Sequence, residues 1–286
     1  MKPALASING ERMLLDEARI SAQDRGFLFG DAVYEVIRVY QGRPWLLDQH
    51  SERLANSLAA VRIEGINLPQ LQERILETIR EGEFQDASVY IQITRGTATR
   101  NHAFPKGVEP LEFFYVTETP NAYLEHRKVG IAVVTYPDLR WKRCDIKSTN
   151  LLGSVLASQA AAEAGATEAI LYDSDGLVTE GSHSTLFAVD RDGLRTTKQD
   201  STILPGITRQ FVMELAQKES LVVREESIPL TEVTDMPELF LTGTGYEIMP
   251  VVRVDEKVIG DAQPGPVTQR LQRAYASAVE TWLGTT

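Results

Sequence analysis

Cysteine is almost absent from these 286 residues: Cys144 stands alone. That excludes an internal disulfide framework and suits a reducing cytoplasm. Histidine is nearly as scarce. His50, His102, His126 and His183 are scattered, none at a zinc-type spacing from cysteine or glutamate, so no metal site is expected. No apolar run approaches membrane-spanning length, and the N-terminal stretch MKPALASINGERML lacks the apolar core of a signal peptide. Repeats, low-complexity tracts and heptads are missing too. A net charge of −11 argues against wholesale binding to nucleic acid or an anionic membrane, although it leaves room for a local arginine cluster. What remains is an ordinary globular composition, 43% apolar and 24% charged, long enough for one large or two medium domains.

Strands and helices alternate irregularly along the first part. Asn9-Gly10 sits between two short β-rich stretches, a strong hairpin signal. Val33–Tyr40 reads as a strand, and Asp48 as the N-cap of a helix whose stripe is Leu54, Leu58 and Val61. A second helix over 70–81 and strands over 88–95 and 111–117 complete an α+β pattern. The polar stretch TPNAYLEHR suggests a linker at 120–127, dividing a small domain, 1–119, from a larger one, 128–286. In the latter, strands over 129–136, 168–172, 177–180, 185–189, 222–228, 238–242 and 251–254 accompany helices after Leu151, from Ile207 and over 268–282.

Lysine is also uncommon, eight residues against 21 arginines, so Lys147 in RWKRCDIKSTNLL is conspicuous. The apolar, helix-like run that follows, Leu151 to Ala160, reads as buried. Desolvation beside it would lower the amine's pKa and favour Schiff-base chemistry, whereas an ordinary strand-end lysine would carry no chemistry. Two segments could hold a phosphate. Pro205-Gly206-Ile207-Thr208 opens a helix with free N–H groups, and Thr242-Gly243-Thr244-Gly245 leaves a strand with two glycines. Arg53 could add positive charge. Glu180 ends an apolar strand before Gly181-Ser182, and a partly buried carboxylate there needs a cation, either a protonated ring nitrogen or an arginine. Arg100 and His102, two residues apart in a loop, suit capture of a carboxylate. A hydrolytic triad of Ser182, His183 and Asp175 lacks a nucleophile elbow.

An imine-forming lysine, a phosphate cradle, a carboxylate for a pyridinium and a carboxylate clamp together describe pyridoxal 5′-phosphate acting on an amino acid. The chain resembles the class IV aminotransferases, the fold type IV pyridoxal-phosphate enzymes, and within them the D-amino acid transaminase subgroup. The likeness runs from about Asp24 to the last helix. It rests on DRGFLFGDAVYEVIRVYQG, RGTATRNHAFP, the lysine segment through EAIL, VTEGSHSTLF, ILPGITR and LFLTGTGYEIMPV.

The resemblance implies two α/β domains with the cofactor in the cleft between them. Lys147 would hold the cofactor and shuttle the α-proton, and Glu180 would pair with the ring nitrogen. Arg53, Gly206, Ile207, Thr208, Gly243 and Thr244 would surround the phosphate. Ser182, His183 and Ser184 would line the cofactor, and Leu204 would lie against the ring face. Tyr34, Arg100 and His102 would bind the substrate's α-carboxylate. The implied reaction is ping-pong transfer between D-alanine or D-glutamate and 2-oxoglutarate or pyruvate, in a cytoplasmic homodimer whose substrate loop crosses the interface. A branched-chain L-amino acid transaminase, an (R)-amine transaminase and an aminodeoxychorismate lyase share the fold, but lack the Arg100/His102 pattern. Two departures stand out. His183 interrupts what is usually a serine run, and Gly243 and Gly245 replace common hydroxyl residues, so backbone N–H groups would serve the phosphate there.

Overall fold

Asn9 and Gly10 both take positive φ, 50° and 89°. They turn β1 (Leu5–Ile8) back onto β2 (Glu11–Leu14) in antiparallel register, as the Asn-Gly pair predicts. The computed structural model describes residues 2–119 and 123–284. It divides into one unit of Met1–Asn121 with Ile146–Asn150, and another of Ala122–Asp145 with Leu151–Thr286.

In the first unit follow α1 (Arg25–Phe29), β3 (Ala32–Tyr40), β4 (Arg43–Pro44), α2 (Leu47–Val61), α3 (Leu68–Glu81), β5 (Ala87–Thr94) and β6 (Leu111–Glu118). The six strands form one sheet in the order β2-β1-β6-β5-β3-β4. Alternate residues of β5 and β6 are buried, the period-2 mark of a sheet covered on one face. Leu54 and Leu58 of α2 and Leu71, Ile75 and Ile79 of α3 pack with Val33, Ile37, Val89 and Phe114. Asp48 is not the cap of α2. The helix begins behind Leu46 in a left-handed conformation, and Asp48 lies inside the first turn.

The lysine segment is the main departure from the expected division at 120–127. Ile146 is buried in the core of the first unit. Ser148 bridges Val33, Tyr34 N–H donates to Lys147 O at 2.9 Å, and Thr149 N–H donates to Ala32 O at 3.1 Å. Five residues are thus added along β3. Of the expected linker, 120–122 lie outside the described residues. Leu124 to Arg127 are helical, because they open α4 (Leu124–Val129).

The second unit continues with β7 (Ile131–Pro137), α5 (Leu152–Glu163), β8 (Glu168–Tyr172), β9 (Leu177–Gly181), β10 (Thr185–Asp190), β11 (Gly193–Thr196) and α6 (Ile207–Lys218). Then come β12 (Val223–Glu225), β13 (Ile228–Pro229), α7 (Leu230–Val233), β14 (Glu238–Gly243), β15 (Glu247–Val254), β16 (Lys257–Val258) and α8 (Pro266–Gly284). The sheet order is β12-β11-β10-β14-β15-β7-β8-β9-β13, with β16 on β15. Parallel pairs β15/β7 and β7/β8 interrupt an otherwise mostly antiparallel sheet. Phe187 and Phe240 stack across β10 and β14 with their ring centres 5.0 Å apart.

The helix α5 is not buried as expected. Only its small residues Ala157 and Ala161 pack on Ala169 and Leu171 of β8. Leu152, Val155 and Leu156 face outward, 71%, 56% and 46% exposed. Small side chains let the helix approach the sheet closely, which turns the large ones away. Among the described residues no helix is long and apolar enough to cross a membrane.

Candidate active site

In the first unit the chemistry gathers around Lys147. Its backbone is pinned from both sides: the carbonyl accepts from Tyr34, and the N–H donates to Ser57 Oγ of α2 at 3.3 Å. The half-buried side chain places Nζ 4.2 Å from the centre of the Tyr34 ring. Tyr34 continues a stack with Tyr90 and Tyr115. Burial and the neighbouring tyrosines push the Tyr90 hydroxyl up to about 12.

One helical turn before Ser57, Arg53 is buried. Its Nε and Nη2 donate to the two oxygens of Glu35, at 2.7 and 2.8 Å. His50 Nδ1 lies 2.7 Å from Glu35 Oε2. Burial alone would raise the Glu35 pKa, but the charge and hydrogen bonds of Arg53, and then His50, hold it far below the ordinary value. Burial lowers the His50 pKa against the pull of Glu35. Glu35 and His50 had no place in the sequence reading, although a signal existed. Glu35 shares the apolar face of β3 with Val33, Ile37 and Val39, and His50 precedes Arg53 by three on α2.

Arg100 and His102 lie in the exposed loop between β5 and β6, on either side of Phe29. The Arg100 guanidinium is 5.1 Å and the His102 ring 5.2 Å from the centre of that ring. Among the described residues no hydrogen bond joins either to Tyr34. Tyr34, the third expected carboxylate ligand, sits beside Lys147.

In the second unit Glu180 ends β9, 4% exposed. It accepts from Arg140 Nη1 and, at 3.1 Å, from the N–H of Leu204. Burial pushes its pKa up against the influence of Arg140 and that N–H. Arg140 is held by Asp138, which accepts from its Nε at 3.0 Å and Nη2 at 2.7 Å.

Beyond Glu180 the chain turns through Ser182, His183 and Ser184 around a second buried carboxylate, Glu168. It accepts from the Ser182 hydroxyl and, at 3.2 Å, from the Ser184 hydroxyl, while His183 Nδ1 lies at 3.0 Å. Burial raises the Glu168 pKa, but His183 and Ser182 outweigh it and hold it low. Ser182 is therefore committed to Glu168 and buried. Asp175 lies in a separate turn with Asp173, so no hydrolytic triad forms.

The phosphate candidates adjoin this turn. A Cβ at Gly206 would come 3.1 Å from Thr185 Oγ1, and one at Gly243 would lie 3.7 Å from the His183 carbonyl. Gly206 caps α6 without a side-chain hydrogen bond, leaving the first-turn N–H groups of Ile207 and Thr208 to bind an anion. Thr244 and Gly245 form the turn between β14 and β15. Neither Gly243 nor Gly245 needs positive φ or meets a clash, so the glycines leave space for a ligand and do not relieve strain. Beside them, Thr242 Oγ1 is buried without a partner. A neutralising ring cation for Glu180 and a phosphate for this cradle both fit pyridoxal phosphate.

The family model for amino-transferase class IV matches residues 32–254. The chain belongs to the class IV aminotransferases. Among relatives of this family, the D-alanine aminotransferase of Bacillus licheniformis is 37% identical over 272 residues, 95% of each chain. That of Staphylococcus haemolyticus is 36% identical over 276 residues, 96% of this chain and 97% of the relative. The branched-chain amino acid aminotransferase of Escherichia coli superposes with a TM-score of 0.92 at 27% identity, over 96% of this chain and 94% of that one. The branched-chain enzyme of Thermobaculum terrenum, in its PLP holo form, gives 0.86 at 26% identity, over 97% and 94%.

The buried Glu35 of this aminotransferase makes stability depend on pH. Its carboxyl titrates lower in the folded chain than in the unfolded one, where the ordinary value is 4.5. Its contribution is therefore complete above that value and fades as pH falls below it. Glu35→Gln, which leaves Arg53 without its counter-ion, should cost about 3–5 kcal/mol at pH 7. In urea unfolding between pH 3 and 7, the gap between the two proteins should narrow below about pH 4.5. A constant gap would show that Glu35 does not titrate with folding.

Proposed function

We propose that this aminotransferase moves the amino group of D-amino acids to 2-oxo acids, converting D-alanine and 2-oxoglutarate to pyruvate and D-glutamate. The observation that carries the reading is Lys147, an amine on a backbone pinned to β3 and α2, in a chain aligned throughout with D-alanine aminotransferases. When bound, pyridoxal phosphate supplies an electron sink that lets the α-proton of an amino acid leave. Lys147 Nζ holds the cofactor, then takes that α-proton and returns it, with Tyr34 against its ammonium form. Glu180, kept in place by Arg140 and Leu204 N–H, would pair with the ring nitrogen, and Leu204 would lie beside the ring. Arg53 and the N–H groups of Ile207 and Thr208, with Gly206, Gly243 and Thr244, hold the phosphate. Ser182, His183 and Ser184, fixed by Glu168, line the cofactor's surroundings. Product oxo acid leaves before acceptor oxo acid enters, which makes the kinetics ping-pong.

Borohydride reduction should fix the cofactor to the peptide containing Lys147, and a label on Lys142 would remove the central assignment. The branched-chain reading keeps its standing because of the structural likeness at TM-scores of 0.92 and 0.86. Donor chirality separates the two. D-alanine should transfer its amino group and L-leucine should not, whereas turnover of L-leucine in place of D-alanine would transfer the assignment.

Arg100 and His102 clamp the substrate's α-carboxylate, with Tyr34 as the third ligand, in the neighbouring subunit's site of a cytoplasmic homodimer. This is supported by the exposed apolar face of α5, which a second copy could cover. Mixing Lys147→Ala chains with Arg100→Ala chains should then regenerate one intact site per hybrid dimer and restore activity. Failure of hybrid dimers to recover activity would return the loop to its own chain's site.

A further inference from the structure

The loop that carries Arg100 and His102 has no regular structure of its own, and both side chains are exposed. A clamp built on it would be imprecise unless something else fixed it. The surroundings supply that. Arg25, the first residue of α1, is 3% exposed. It donates from Nη1 to the carbonyl of Asn101 at 2.5 Å and from Nη2 to that of His102 at 3.3 Å, while Nε donates to Asp31 at 2.7 Å. Its guanidinium lies 4.8 Å from the centre of the Phe29 ring, the same ring that Arg100 and His102 pack against. A planar fork can hold two successive carbonyls and a carboxylate at once, which an ammonium cannot do. We propose that Arg25 is a positioning residue for the carboxylate clamp, setting Arg100 and His102 through the backbone of 101–102 and through Phe29.

The inference rests on the reading of Arg100 and His102 as the clamp. It does not reduce to Arg25 stabilising the fold. Asp31 keeps a second partner, since Arg95 donates to both its oxygens at 2.8 and 3.0 Å. Arg95 also donates to the carbonyls of Val61 and Arg62 at 2.6 and 2.8 Å and lies 3.6 Å from the centre of the Phe104 ring. The ends of the loop therefore remain tied without Arg25. The carbonyls it would release belong to exposed residues and can take water. What is lost is the register of the loop's tip.

The test uses the holoenzyme and two carbonyl reagents that differ by a carboxylate: aminooxyacetate, which carries one, and methoxyamine, which does not. Arg25→Met should slow aminooxyacetate and raise KM for D-alanine by about tenfold, since small misplacements of positioning groups are felt at that level. It should leave kcat, methoxyamine and the melting temperature nearly unchanged. The Arg25→Met/Arg100→Ala pair should react with aminooxyacetate no more slowly than Arg100→Ala alone, because the role runs through the clamp. An equal loss with both reagents, or penalties that simply add, would overturn the assignment. If Arg25→Met does not fold, Phe29→Leu should give the same selective loss, and an unchanged reagent ratio would overturn the assignment equally. Should Arg100→Ala itself react normally with aminooxyacetate, the clamp reading fails. A normal Arg25→Met beside an impaired Arg100→Ala refutes only the positioning role.

Discussion

The pairing of residues 146–150 with β3 is the constraint on which the site depends. Lys147 is a long side chain with considerable rotational freedom, about 2 kcal/mol of it. It can act on one atom only if its root is fixed. Three backbone contacts do this, those of Tyr34 with Lys147 O, Thr149 with Ala32 O and Lys147 N–H with Ser57. Each is worth on the order of 1 kcal/mol. Ile146, buried in the same core, gives the segment a hydrophobic anchor one residue away. The amine is thus fixed at its base.

In each unit the protein buries charge in matched sets. Glu35 with Arg53 and His50, Glu180 with Arg140, and Glu168 with Ser182, Ser184 and His183 each satisfy a carboxylate taken out of water. An isolated buried ion would be neutralised or expelled. The sets differ in their balance. Glu35 and Glu168 are held ionised by their partners and act as struts. Burial pushes the Glu180 pKa up despite Arg140.

Strand positions with alternating apolar residues, the Asn9-Gly10 hairpin and the helices over 70–81 and from Ile207 were legible in the sequence, because each follows from local backbone preference or a two- or 3.6-residue period. The candidate site residues stood out as types: Lys147, Glu180, Arg53, the α6 start and the Arg100/His102 loop. Their partners did not. Glu35 was not singled out, and His50 stood only among the scattered histidines. Whether a charge is buried, and against what, depends on contacts 15 to 40 positions away. Asp48 failed as a cap for a related reason, since the turn at Leu46 decides where α2 starts.

The sequence by itself determined the elements, the reactive side chains and the family resemblance, since these reside in short motifs whose order along the chain is enough. Tertiary structure alone decided that the lysine segment joins the first unit and not the second. It also decided that the large side chains of α5 face outward while its alanines pack inward, and that Tyr34 stands beside Lys147. The physical reason is the same in each case. Backbone pairing and close packing are settled by which surfaces meet, and residues far apart in the chain supply those surfaces.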